Sequence, residues 1–387
     1  MSETLTMSRG VPSFETTTEL REAMNAKANF VNRDLYPRDG SRTLGEIEAK
    51  LANLVGVSEH EVLAYGSGMS ATTGAIDIGL HLSDKNKPFI ACAQESYSQS
   101  KRYVEHFLNG PRNKVTYIDS GDPAHVERLL RRDDIDVLVS ETISNYVNMP
   151  VLNVQHLLDV TRQLKKPPVV ILDNTLPLST GLPIGEMLEP DDRIIVVESG
   201  TKSYSFNQDT LGVSYTKNEE LLHWLRRYRR TRGDLPGSQS QELIADLLPD
   251  SRESFDARNK RLFKTTGKIA LTLATRGQEV DDDRFYVAHP AIPTHENAEL
   301  YNVQHPDGGA PVLYITATPS SQLDQHDVIE RLWSSPDVRE QARLGQSFGF
   351  DDARIIYDEY QPVVRVAGGA NSNGNELGAA LANALYN

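Results

Sequence analysis

From Phe89 to Tyr215 the chain alternates between short, mainly apolar runs and stretches of helical spacing. The runs are Phe89–Cys92, Val115–Ile118, Val137–Ser140, Val169–Leu172, Ile194–Val197 and Leu211–Tyr215. Between them lie helical patterns such as Val126-Leu129-Leu130 and Val154-Leu157-Leu158-Val160. Strands that are apolar on every residue must be covered on both faces, so the pattern predicts a mostly parallel α/β sheet. Ahead of it, residues up to about Thr43 show little periodicity and read as an extended arm. A helix then follows, with Thr43 and Glu46 as a capping-box pair, Leu44, Ile47, Leu51 and Leu54 on its apolar face, and Gly56 as its stop. After about Leu248 the pattern becomes a long helix, then short strands among Pro290, Pro293 and Pro306, then a last helix from Glu376. We therefore expect an arm and first helix over 1–55, a large domain over 56–248 and a smaller C-terminal α/β domain over 249–387.

The bulk properties fit this picture. With 387 residues the chain exceeds one compact core, and 39% hydrophobic with 24% charged residues is ordinary globular composition. A net charge of −14 argues against a nucleic-acid partner. The basic run Arg226–Arg232 reads as a solvated or subunit-facing helix rather than a binding patch. Cys92 is the only cysteine, so no intrachain disulfide or cysteine metal site is available, and no metal is expected. Its apolar surroundings predict an inert core thiol. Residues 1–29 contain no apolar stretch, which predicts neither a signal peptide nor a membrane anchor and leaves the cytoplasm as the expected compartment.

Polar, reactive residues collect where three of the apolar runs end. Glu141-Thr142-Ile143-Ser144-Asn145 follows one, Asp173-Asn174-Thr175 the next, and Ser199-Gly200-Thr201-Lys202 a third. Ligands of open parallel sheets bind at these carboxyl ends. A lysine beside two hydroxyls, with a carboxylate on a neighbouring strand, suits pyridoxal 5'-phosphate (PLP). The lysine carries the Schiff base, the hydroxyls bind phosphate, and the carboxylate keeps the pyridine nitrogen protonated. Taken alone, a surface lysine after a strand would look the same. Gly66-x-Gly68-x-x-Ala71 resembles a dinucleotide fingerprint, but the next acid, Glu95, comes too late for a ribose contact. A phosphate seat at a helix N-terminus, or a plain turn, remains.

The residues from about Tyr36 to the C-terminus resemble the Cys/Met-metabolism family of PLP enzymes, which contains cystathionine γ-synthase, cystathionine γ-lyase, cystathionine β-lyase and methionine γ-lyase. Tyr36-x-Arg38-x-Gly40-x-x-Thr43 resembles the family's segment that reaches the neighbouring subunit's cofactor phosphate. Ser67-Gly68-Met69 resembles its phosphate loop, and Tyr97 stands where a tyrosine stacks on the cofactor ring. Glu141-Thr142-x-Ser144-Asn145 resembles the segment whose asparagine approaches the cofactor hydroxyl. Asp173-Asn174-Thr175 and Ser199-x-Thr201-Lys202 complete the resemblance around the cofactor, and His289 to His295 resembles a marker of the smaller domain. Ser347-Phe348-Gly349 and Arg365-Val366 match the positions that bind the substrate carboxylate, and Gln346 precedes them where the distal part of the substrate should lie.

The resemblance implies fold type I, the aspartate aminotransferase-like architecture, with PLP on Lys202. It also implies an amino-acid substrate and a homodimer or homotetramer with shared active sites. Lys202, Tyr97 and Asp173 would be catalytic. The implied reaction is γ-elimination or γ-replacement on a sulfur-containing or homoserine-derived amino acid. β-Elimination or methionine γ-lyase chemistry stands second, with an aminotransferase or a non-catalytic relative behind. The chain departs from the family at Tyr146, at Ser203, at Asn207-Gln208-Asp209, at Gly368 to Asn371, and in lacking Asn-Pro after Gly40. These departures bear on which substrate and which reaction, less on the cofactor.

Overall fold

A computed structural model describes residues 40–386, apart from 133, 322 and 359–362. Two sheets organise it. The larger has seven strands in the order β1-β7-β6-β5-β4-β2-β3. They are β1 (Val62–Tyr65), β2 (Phe89–Ala93), β3 (Lys114–Ile118), β4 (Val137–Glu141), β5 (Val169–Asp173), β6 (Ile194–Ser199) and β7 (Gly212–Tyr215). Strands β6, β5, β4, β2 and β3 pair in parallel, and β7 runs antiparallel to both its neighbours. The apolar runs are continuous because both faces are covered. On β5, Val170 and Leu172 join a core with the helices Arg42–Val55 and Val154–Gln163, while Val169 and Ile171 face the helices Gly68–His81 and Glu219–Arg232.

The smaller sheet has the order β10-β11-β12-β9-β8. Its strands are β8 (Phe285–Ala288), β9 (Val312–Ala317), β10 (Ala342–Leu344), β11 (Ala353–Asp358) and β12 (Val363–Ala367). Here strand alternation divides the work. Leu313, Ile315, Val364 and Val366 pack on the helices Arg252–Glu279 and Gly374–Tyr386. Val312, Tyr314, Val363 and Ala367 turn the other way and meet Ile143, Val151 and Leu176, which follow β4 and β5. The inner face of the small sheet thus lies against the carboxyl ends of the large one.

Two local expectations need correcting. The first helix is capped by Ser41, whose hydroxyl accepts the Leu44 N–H at 2.9 Å, and not by Thr43, whose hydroxyl donates to Glu242 at 2.9 Å. Gly56 does close it, in the left-handed region at φ 76°. Strand β1 has no counterpart among the expected runs. At four residues it is short, and its place is fixed by antiparallel pairing with β7, 150 residues on in sequence, rather than by its own pattern.

Candidate active site

Three adjacent parallel strands deliver the polar cluster. β4 ends in Glu141, β5 in Asp173 and β6 in Ser199, and Glu141 stands in direct register with Asp173. The Asp173 carboxylate accepts the Thr175 N–H at 2.9 Å, and Thr175 Oγ1 accepts the Ser199 N–H at 2.8 Å, which stitches β5 to β6. Burial raises the pKa of Asp173; Thr175 and the charge of Lys202 oppose the rise. Glu141 is pushed up to about 8 by burial and by Asp173. Its two carboxylate oxygens accept two backbone N–H groups, that of Tyr97 and, at 2.8 Å, that of Asn145.

Lys202 sits in the one-turn helix Gly200–Ser203 that follows β6. Thr201 anchors this turn: its Oγ1 accepts the Leu211 N–H at 3.0 Å, and its own N–H donates to the Leu211 carbonyl at 3.1 Å. Burial lowers the Lys202 pKa, Arg365 lowers it further and Asp173 opposes them. Behind the turn, Glu198 accepts from Asn174 at 3.1 Å, from Tyr215 at 3.0 Å and from Tyr204, and burial pushes it up to about 7.

Ser67, Gly68 and Met69 form the start of helix 68–81, whose first amides have no partners within the helix. Ser67 caps it by accepting the Ser70 N–H at 3.1 Å. A Cβ on Gly68 would meet Ser199 Oγ at 3.1 Å, tighter than an ordinary contact, so the glycine lets this helix end approach β6 without displacing Ser199. Tyr97 heads the helix Ser98–Tyr103 and is 38% exposed, an open wall of the cleft. Burial raises its hydroxyl pKa, with Arg365 opposing and Asp358, Glu141 and Asp173 adding.

The small sheet closes the other side. Arg365 on β12 lies opposite Tyr314 on β9, and both point inward. Tyr314 Oη donates to Asn145 Oδ1 at 2.6 Å. Arg365 Nη1 lies 3.8 Å from the Asp358 carboxylate, while its buried Nε has no hydrogen-bond partner among the described residues. Ser347 Oγ donates to Asn207 Oδ1 at 2.7 Å. Gly349, at φ 85°, lies with its backbone so near the Lys202 carbonyl that a Cβ would collide. Gln346, one residue before Ser347, is exposed.

The structure thus gathers Lys202, Asp173, Tyr97, Asn145 and Arg365 in one cleft, with Ser67, Gly68, Met69, Ser199, Thr201 and Ser347 around it, while Gln346 makes no contact among the described residues that ties it to the cleft. Tyr36 and Arg38 lie outside the described residues. Cys92 is fully buried, with burial pushing its thiol up to about 12. His289 and His295 serve loop structure: each accepts a backbone N–H two residues on, and His289 is held down at about 4 by burial. A cavity of about 800 Å³ lies elsewhere, between Arg252, Lys260, His156 and Gln304. Among the described residues no group of three or more His, Cys, Asp or Glu could hold a metal, and no helix is long and apolar enough to cross a membrane.

Four residues of the cleft were not anticipated as site residues. Glu141 had a signal, an acid closing an apolar run. Tyr314 was hidden inside a strand, Asp358 enters across the β11–β12 hairpin through Arg365, and Asn207 enters through contacts distant in sequence.

The profile of the family described as Cys/Met metabolism PLP-dependent enzyme matches residues 2–332. A probable cystathionine gamma-synthase 2 of Arabidopsis thaliana is 25% identical over 283 residues, 73% of this chain and 63% of that protein. A cystathionine beta-lyase of Saccharomyces cerevisiae is 23% identical over 190 residues, 48% of this chain and 40% of that protein. The match therefore spans less than two thirds of either relative. Among solved structures, metB from Corynebacterium glutamicum superposes with a TM-score of 0.72 at 17% identity, covering 92% of this chain and 89% of that one. Cystathionine gamma synthase from Xanthomonas oryzae pv. oryzae, in complex with cystathionine, gives 0.71 at 17% identity, covering 91% and 88%.

Proposed function

We propose a γ-acting lyase or transferase for this chain, which belongs to the Cys/Met metabolism family of PLP-dependent enzymes and has their fold type I architecture. PLP is its cofactor. The residues present suit that group. A helix end whose glycine packs tightly on Ser199 adjoins the site, an amine sits where burial favours its neutral form, and a carboxylate faces it from the next strand.

In this reading the first amides of helix 68–81, with Ser67 and Ser199, hold the phosphate. Thr201 fixes the turn and lends its hydroxyl nearby. Asp173 would hold the ring nitrogen, and Tyr97 and Asn145 would flank the ring. Bound there, PLP supplies an electron sink for bond cleavage at the substrate's carbons. Lys202 is the covalent anchor, and its amine, with a lowered pKa, takes and returns the Cα proton. Arg365 binds the α-carboxylate, and its unpartnered buried Nε is the observation that carries this assignment. Ser347 donates to Asn207, so it shapes the carboxylate loop as much as it can contact the substrate.

Cystathionine or an activated homoserine is the proposed substrate, in keeping with the name of the Arabidopsis relative; the name of the yeast relative favours β-elimination as the second reading. Cystathionine, cysteine, methionine, homoserine esters and homocysteine, scored for 2-oxobutanoate against pyruvate, separate the two. Pyruvate without 2-oxobutanoate would overturn the γ assignment. We further propose a homodimer or homotetramer in which Tyr36 and Arg38 complete the neighbour's phosphate site, in a cytoplasmic enzyme.

A further inference from the structure

Glu141 has no part in the roles above, yet its position is costly. A carboxyl only 5% exposed, set in register beside Asp173, is disfavoured unless something requires it. What it meets are two backbone N–H groups from separate segments, Tyr97 after β2 and Asn145 after β4. Each segment leads to a different half of the cleft. Tyr97 is the open wall. Asn145 accepts from Tyr314 Oη at 2.6 Å, and Tyr314 stands opposite Arg365 on the small sheet.

We propose that Glu141 is a positioning residue that sets the aromatic wall at Tyr97 and the carboxylate grip at Arg365 relative to each other. The inference rests on the cofactor and substrate roles proposed for those two residues. A carboxyl group suits the task because both of its oxygens keep a lone pair for a donor, whether or not the group holds a proton. Glutamine offers one acceptor and one NH2 donor, and that donor would oppose one of the backbone N–H groups. The arm from Asn145 through Tyr314 can be cut separately, since phenylalanine at 314 keeps the ring and loses only the hydroxyl.

The test compares PLP-loaded wild type, Glu141→Gln and Tyr314→Phe in two signals. Visible circular dichroism of bound PLP reports the wall. The L-cystathionine concentration that half-saturates the change in the visible band reports the grip. Glu141→Gln should alter the dichroism and raise half-saturation by about tenfold or more. Tyr314→Phe should raise half-saturation and leave the dichroism alone. Glu141→Gln with both signals unchanged, even if it melts earlier, would overturn the proposal. If Glu141→Gln does not fold, unchanged half-saturation in Tyr314→Phe does the same. A wild type that binds PLP but gives no response to cystathionine would retire the substrate reading instead, and the dichroism of Glu141→Gln would still decide its hold on Tyr97.

Discussion

Asn207 and Ser347, 140 residues apart, are joined by a hydrogen bond from Ser347 Oγ to Asn207 Oδ1 at 2.7 Å. Asn207 Nδ2 returns a bond to the Phe348 carbonyl at 2.8 Å, and the Asn207 N–H donates to the Thr201 carbonyl at 2.7 Å. Both residues adopt left-handed backbone, at φ 60° and φ 78°. Together with Gly349 against Lys202, they fasten the lysine turn of the large sheet to the loop that precedes β11.

Asn207→Ala should therefore cost about 2–3 kcal/mol, from the lost side-chain bonds to Ser347 and Phe348, a weaker one to the Lys202 carbonyl, and an unfavourable backbone for alanine. Asn207→Gly, which relieves the backbone but not the bonds, should lose about 1 kcal/mol less. Urea unfolding of both variants measures the difference; equal losses would mean the left-handed backbone contributes nothing.

Lys202→Ala should abolish turnover and the visible band of covalently held PLP, and PLP should dialyse away from the variant. Folding should be retained, because a partly buried amine of lowered pKa contributes little to stability. Absorbance before and after dialysis, with the melting temperature, tests both halves; a fully active variant would refute the anchor.

Glu198 gives a pH dependence with a definite sign. Its pKa is about 7 in the folded protein against an ordinary 4.5, so the folded state keeps a proton that the unfolded chain has released. Its contribution is complete below about pH 4.5 and lost as pH rises through about 7, by at most about 3 kcal/mol. Melting temperatures of PLP-free protein between pH 5 and 8 should fall more steeply for wild type than for Glu198→Gln. Parallel slopes would show that Glu198 does not titrate in this range.

Arg365→Lys should raise KM about 10- to 100-fold with a smaller change in kcat, since an ammonium cannot replace the planar fork. An amine lacking the α-carboxylate should bind both proteins alike. A variant with unchanged KM would move the carboxylate site away from β12.

Mixing inactive Arg38→Ala with inactive Lys202→Ala should restore part of the activity if each site draws on two chains, because some mixed assemblies hold one intact site. Sedimentation of the wild type as an active monomer would exclude this.

Most of the large sheet was legible because burial on both faces leaves its inner strands as apolar runs, and Glu141, Asp173 and Ser199 each close one; β1 was not legible in this way. Lys202 and Asp173 could be read in that way, and Arg365 only through its resemblance to known carboxylate sites. Asp358 and Tyr314 could not be read. Each is one inward residue of an alternating strand, and its importance depends on which strand lies beside it. Asn207 was visible only as a departure from the family pattern. Its side chain acts on a loop 140 residues away, through a backbone conformation that no local pattern announced. The cap at Ser41 was missed because Thr43 and Glu46 offer the same spacing two residues later.

The alignment of Glu141 with Asp173 also bears on how the gene can vary. Side chains alternate between sheet faces, so one residue added to or removed from β4 would carry Glu141 to the opposite face while Asp173 stayed in place. The hydrogen-bond ladder between these two strands is in effect a ruler for the cleft. Substitutions along 137–140 and 169–172 that preserve volume should leave it undisturbed, whereas insertions and deletions should be tolerated only in the loops beyond the strand ends.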